Sequence, residues 1–111
     1  MDKIFTYTDK YGKIRKIEFQ WDPVKEFFNI KKHGLSFSDA VEAFKDPDGF
    51  SLKDENHSKN ETRRYWIGKI RDRRVATVRF TIRANLIRVF GVAEWRYFRR
   101  MYNEKTKHKK S

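Results

Sequence analysis

The residues of this chain with the means to do chemistry are mostly cations, and several sit in one stretch. Residues 74–92 read RVATVRFTIRANLIRVFGV. Apolar and polar residues alternate there with the period of a strand, and Ala84-Asn85 is short enough to turn the stretch into a hairpin. With those two in the loop, Arg83 faces Leu86, Thr81 faces Arg88 and Phe80 faces Val89. Ala76, Val78, Phe80, Ile82, Ile87 and Val89 then share an apolar face. Arg79, Thr81, Arg83 and Arg88 share the other, beside Leu86 and Phe90. Like charges on neighbouring strands repel, so arginines gathered on one face point to a polyanionic partner. Taken singly, each is as readily a solvated sheet residue. The guanidinium fork binds two oxygens at once, which suits phosphate. Arg83 and Arg88 are the first candidates for that role, Arg63 the third, and Arg79 a further contact.

Proton transfer needs other groups. His57 stands in a polar loop just before the strand expected to flank the hairpin, and histidine titrates near neutral pH. It is the leading general acid or base, against the alternative of a loop histidine with a local hydrogen bond. Glu61 suits a base, or an ion pair with Arg63. His33 falls in the last turn of a helix, where positive charge suits the dipole. Lys32 beside it can reach a phosphate backbone. No metal set is evident, since Asp46, Asp48, Asp54 and Glu55 match no known ligand spacing. No metal and no cofactor are expected. Trp21 and Trp66 read as core.

The elements that must position these residues follow from local pattern. Lys3–Thr8 and Lys13–Trp21 alternate like strands around a turn at residues 9–12. Asp22-Pro23 opens a helix over Pro23–His33 whose buried stripe should be Val24, Phe27, Phe28 and Ile30, with Gly34 just past its end. Ser36 to Asp39 resembles a capping box, and Phe37, Ala40, Val41 and Phe44 recur at helical spacing up to Asp46-Pro47. Phe50 and Leu52 make a short strand, and Thr62–Lys69 a longer one. Trp95, Phe98, Met101 and Tyr102 form the stripe of a last helix over Glu94–Asn103, with Arg96, Arg99 and Arg100 outside it. The result is an α+β sandwich, with the helices gathered on one side of an antiparallel sheet. Residues 1–104 form one domain, 1–18 being an N-terminal hairpin extension, and 105–111 a disordered basic tail.

Composition narrows the partners. In 111 residues there are 27 lysines and arginines against 15 acids, a net +12, and no cysteine. A disulfide scaffold and a thiolate metal site are excluded, and a reducing cytoplasm fits. Aromatic residues make up 16% of the chain, too many for a disordered basic tail. A packed cationic domain points first to nucleic acid, then to an acidic protein, and last to a membrane surface, since no helix joins a basic face to a broad apolar one.

The order F-x-W-D-P-x-K-x-x-x-N-x-x-K-H-G-x-S-F-x-x-A-x-x-x-F-x-D-P, from Phe19 to Pro47, resembles the BrnT toxin family. The resemblance continues through His57-Ser58, Glu61, Arg63, Gly68, Thr81, Arg83 and Arg88, to about residue 102. It implies a compact RelE-like fold and the toxin of a type II toxin–antitoxin module. Such a toxin cleaves RNA and arrests translation. A BrnA-like antitoxin neutralises it, and the toxin meets operator DNA only through that antitoxin. At one position the chain departs from the family: Ala93 stands where many members carry arginine, and Arg96 is the nearest residue able to replace the charge.

The residues then take roles in metal-free RNA cleavage. The 2′-hydroxyl attacks the adjacent phosphorus, a base takes its proton, an acid protonates the leaving 5′ oxygen, and cations stabilise the developing charge. His57, Arg63, Arg83, Arg88 and Glu61 are the catalytic candidates; Lys32, His33, Arg79 and Arg96 are the RNA-binding ones. The competing reading is a non-catalytic basic module that binds RNA or an antitoxin. A DNA-binding regulator is disfavoured, because the helix after Gly34 carries Asp39 and Glu42, the wrong charge for a major groove.

Overall fold

A computed structural model describes residues 2–8, 11–57, 59 and 61–107, without the side chains of Asp2, Lys3, Phe5, Tyr7 and His57. The alternating stretch forms its centre. β5 (Val75–Arg83) and β6 (Leu86–Ala93) pair antiparallel, with Arg83 opposite Leu86, Thr81 opposite Arg88 and Phe80 opposite Val89. Ala84 and Asn85 both take positive φ, 47° and 70°, as a two-residue turn between twisted strands requires. The register breaks once. Arg79 faces Gly91 while Phe80 faces Val89, so Phe90 is the extra residue of a bulge.

β4 (Arg63–Lys69) and then β3 (Phe50–Lys53) extend the sheet antiparallel beyond β5. On the other side β2 (Ile14–Gln20) joins β6, and β1 (Asp2–Thr8) pairs antiparallel with β2. The order is β1-β2-β6-β5-β4-β3. The β2–β6 contact is parallel, so the sheet is mixed rather than antiparallel. Parallel neighbours need a long crossover between them, and here two helices and three strands intervene. The N-terminal hairpin supplies two of the six strands and sends Phe19 into the core.

α1 (Pro23–His33) starts where the Val24 N–H donates to Asp22 Oδ1 at 2.9 Å, and stops at Gly34, whose φ of 71° suits glycine. α2 (Phe37–Phe44) carries a complete capping box: the Asp39 N–H donates to Ser36 Oγ at 3.2 Å and the Ser36 N–H to Asp39 Oδ2 at 2.9 Å. Its Phe37, Ala40 and Val41 pack on Ala76, Val78 and Val89 of the sheet, with Trp21 and Phe19 beside them.

α3 (Arg96–Thr106) lies on the opposite face, where Tyr102 packs with Ile67 and Val75. The helices are therefore not gathered on one side. At this end β4 and β5 bury residues of both faces, Ile67 and Val75 on one and Ala76 and Val78 on the other, and each layer needs a cover. α3 includes Lys105 and Thr106, the first residues of the expected tail. Thr106 is buried in α3, and its hydroxyl donates to the Tyr102 carbonyl at 2.9 Å. Residues 108–111 lie outside the described residues.

The largest departure from expectation is α1. Its apolar stripe points outward: Val24, Phe27, Phe28 and Ile30 are 46–62% exposed. The buried residue is Asn29. β2 pairs with β6 only as far as Gln20 and Arg88, which leaves the rest of that β6 edge open. Asn29 fills the gap. Its side chain accepts from the Val92 N–H at 3.0 Å and donates to the Val92 carbonyl at 2.9 Å and the Leu35 carbonyl at 2.8 Å. A side-chain amide thus stands in for a strand partner, and backbone groups that would otherwise be buried unpaired are satisfied.

Candidate functional site

α3 covers only one end of its face of the sheet. At the other end the strands present the basic residues read from the sequence. Arg63, Thr81 and Arg88 face one another across β4, β5 and β6. Thr81 is buried and donates its hydroxyl to the Thr62 carbonyl at 2.6 Å. Arg88 donates to Gln20 Oε1 at 2.8 Å. The Phe90 ring lies among these cations, on the face that strand alternation predicts: Arg63 Cζ lies 4.4 Å from its centroid, Lys25 Nζ 5.1 Å and Arg83 Cζ 5.8 Å. Next to it, the Arg79 guanidinium lies over Gly91. A Cβ at Gly91 would come within 2.7 Å of Arg79 Nη2, so glycine leaves the space that the guanidinium occupies.

α1 supplies the facing wall. Lys25, Phe28, Asn29, Lys32 and His33 close a cleft of about 320 Å³ with Arg63, Arg79 and Phe90. His33 titrates below its ordinary 6.5, because burial disfavours the cation and Lys32 and Arg79 repel it. These surroundings favour the neutral imidazole over the cation.

Glu61 sits at the rim. Arg83 donates to it through Nε at 2.9 Å and Nη2 at 2.6 Å. That hydrogen bonding holds the Glu61 carboxyl below its usual range against the opposing effect of burial, and the charges of Arg83, Arg63 and Arg88 add to it. The acid proposed as a mate for Arg63 thus clamps Arg83 instead. An incoming phosphate has to share that fork or displace Glu61.

The structure accordingly brings together Lys32, His33, Arg63 and Arg79, with Arg83, Arg88 and Glu61 at the margin. Arg96 is apart from them. It lines a separate groove along α3 with Tyr97 and Arg100. Ala93 is buried at the end of β6, opposite Thr77. His57 closes a short 3-10 turn, Glu55–His57, between β3 and β4, and its side chain lies outside what is described. Sequence reasoning missed Lys25, Phe28 and Asn29. Their signal was present, since positions 25, 28, 29 and 32 recur at helical spacing and define one face of α1.

The acids weighed as metal ligands have structural partners. Asp46 accepts from the Lys69 N–H at 2.7 Å and from the Tyr102 hydroxyl, while Asp54 accepts from the Asn56 N–H at 3.2 Å. Burial and the Asp46 bond raise the Tyr102 hydroxyl far above its ordinary range. Among the described residues, no group of three or more His, Asp or Glu is placed to hold a metal ion.

A family profile described as the ribonuclease toxin BrnT of type II toxin–antitoxin systems matches residues 21–97. The chain belongs to the BrnT family. No curated protein matches it. The matched span runs from the start of α1 to the first turn of α3 and contains every residue of the cleft. The family is described as one of ribonuclease toxins of type II toxin–antitoxin systems, a description that implies an RNA substrate and an antitoxin protein as partner. No helix among the described residues is long and apolar enough to cross a membrane.

Proposed function

We propose that this BrnT chain is a metal-independent endoribonuclease with a RelE-like arrangement, acting in the cytoplasm to arrest translation and neutralised by a BrnA-like antitoxin. Operator DNA is reached only through that antitoxin. One observation carries the reading: Lys25, Lys32, His33, Arg63 and Arg79 converge on a single cleft beside the Phe90 ring. Such a cleft suits a phosphodiester flanked by a base that can stack on an aromatic face.

The chemistry follows from the groups present. Arg63, Arg79 and Arg88 hold the non-bridging oxygens and stabilise the charge that builds on them. Neutral His33 takes the proton of the 2′-hydroxyl as its oxygen attacks phosphorus. The bond from phosphorus to the 5′ oxygen breaks, and that oxygen takes a proton from an acid. The products are a 2′,3′-cyclic phosphate and a 5′-hydroxyl. His57, on the same loop as Glu61, is the candidate for the acid. Glu61 keeps Arg83 extended until a phosphate competes for it. Arg96, outside the cleft, serves the RNA backbone further along. No protein charge stands at Ala93, and Arg79 provides a cation on the same face of the sheet.

Induced expression in bacteria tests this reading, with total RNA followed over time. The wild-type chain should stop growth and degrade RNA, and Arg83→Ala/Arg88→Ala should do neither at equal soluble level. Healthy growth and intact RNA with wild type would favour the non-catalytic binding module instead.

A further inference from the structure

α1 exposes more apolar surface than its own packing uses. Val24, Phe27, Phe28 and Ile30 are 61%, 53%, 62% and 46% exposed, and the rings of Phe27 and Phe28 meet edge to face at 5.4 Å. The helix is held through other residues. Asn29 is tied to β6, and Glu26 accepts from Trp21 Nε1 at 3.3 Å and from the Phe37 N–H at 2.9 Å. Apolar residues scattered singly over a surface need no explanation, but four on one short helix mark a place where something docks.

The border of the patch says what kind of partner fits. Lys25, Lys31, Lys32 and His33 surround it, and Lys31 Nζ lies 4.9 Å from the Phe27 centroid. The one acid on the helix, Glu26, is spent on Trp21 and Phe37. An apolar stripe with a cationic rim suits an amphipathic segment with acidic flanks. A type II toxin has a protein partner to provide one.

We propose that the exposed stripe of α1 is the docking surface for an acidic amphipathic segment of the antitoxin, and that docking there shuts the cleft. The two surfaces share residues: Phe28 belongs to the stripe and the cleft wall, and Lys25 and Lys32 line the cleft while bordering the stripe. A segment seated on α1 lies across the mouth and competes with RNA for the same lysines. The inhibitory half rests on reading the cleft as the ribonuclease site; the docking half does not.

The test uses Val24→Ser/Phe27→Ser, two exposed positions outside the cleft lining, and the antitoxin encoded in the same operon as the probe. Binding to purified full-length chain is measured by calorimetry, alongside RNA cleavage by the chain alone and its sedimentation. Affinity for the antitoxin should fall by about a hundredfold, the scale of losing central apolar anchors, with RNA cleavage and the unfolding midpoint unchanged. Lys31→Glu should weaken binding as well and flatten its salt dependence. Antitoxin affinity within about threefold of wild type in the double variant would overturn the proposal, being less than a single anchor contributes. Lost RNA cleavage with antitoxin binding intact would assign the stripe to RNA. Loss of a wild-type dimer with antitoxin binding intact would assign it to a second copy of this chain. If the wild type cleaves no RNA at all, the affinity measurement still decides the docking half.

Discussion

α1 and α2 are consecutive helices with similar apolar spacing and opposite fates. α2 buries Phe37, Ala40 and Val41 on the sheet, whereas α1 turns Val24, Phe27 and Phe28 to solvent and seats Asn29 against β6. The helical period predicts that an apolar stripe exists but not which side of the helix meets the domain. The side is decided by what the sheet offers. Over α2 it offers an apolar surface, and beside α1 an open strand edge whose N–H and C=O require polar partners. One helix therefore builds the core, while the other builds a wall of the cleft and keeps its apolar residues for a partner.

That contrast is sharpest in stability. Phe37→Ala in α2 should cost about 3–5 kcal/mol in urea unfolding, because it empties a fully buried site. Phe27→Ala in α1 should stay within about 0.5 kcal/mol. Equal losses from the two would break the comparison. Next in size is Asn29→Ala, which removes both bonds to Val92 and should cost about 2–3 kcal/mol while speeding amide exchange at Val92. A neutral result would mean that α1 is not held by its amide. Ser36→Ala should cost about 1 kcal/mol through the α2 capping box.

The smallest effect is a titration. His33 has its folded pKa lowered below 6.5, so the unfolded chain binds the proton more readily and stability is penalised as pH falls through 6.5. His33 is exposed, so the shift is best followed by NMR of the imidazole. In the free protein it should titrate below 6.5, and a bound oligonucleotide should move it upward as phosphate offsets Lys32 and Arg79. No movement on saturation would take His33 out of the binding site.

Local pattern carried most of the fold. The β5–β6 register, the cap at Asp22, the αL residue Gly34 and the capping box at Ser36 depend on a few neighbouring residues and were legible in the sequence. The parallel β2–β6 pairing was not, since it joins segments far apart in the chain. Nor was the face of α1, or the bulge at Phe90 that sets Gly91 opposite Arg79 and sends Val92 into the core. The arginine face of the hairpin was read from strand alternation alone. Its partner wall was hidden because the apolar spacing of 24, 27 and 28 competes with the polar spacing of 25, 29 and 32 on the same helix. Several residues behind the family resemblance have a structural reason here: Asp22 caps α1, Asn29 ties α1 to β6, Gly34 ends the helix, and Lys25, Lys32 and His33 line the cleft.

The most direct measurement is cleavage of end-labelled RNA by purified wild-type chain and by Arg63→Ala/Arg79→Ala, in EDTA, with the product termini identified. The wild type should leave 2′,3′-cyclic phosphates without added metal, and the double variant, still folded, should lose about a thousandfold or more in rate, the scale of removing transition-state cations. Undiminished cleavage by the folded variant, or activity that disappears with EDTA, would contradict a metal-free site in the cleft between α1 and the arginine face.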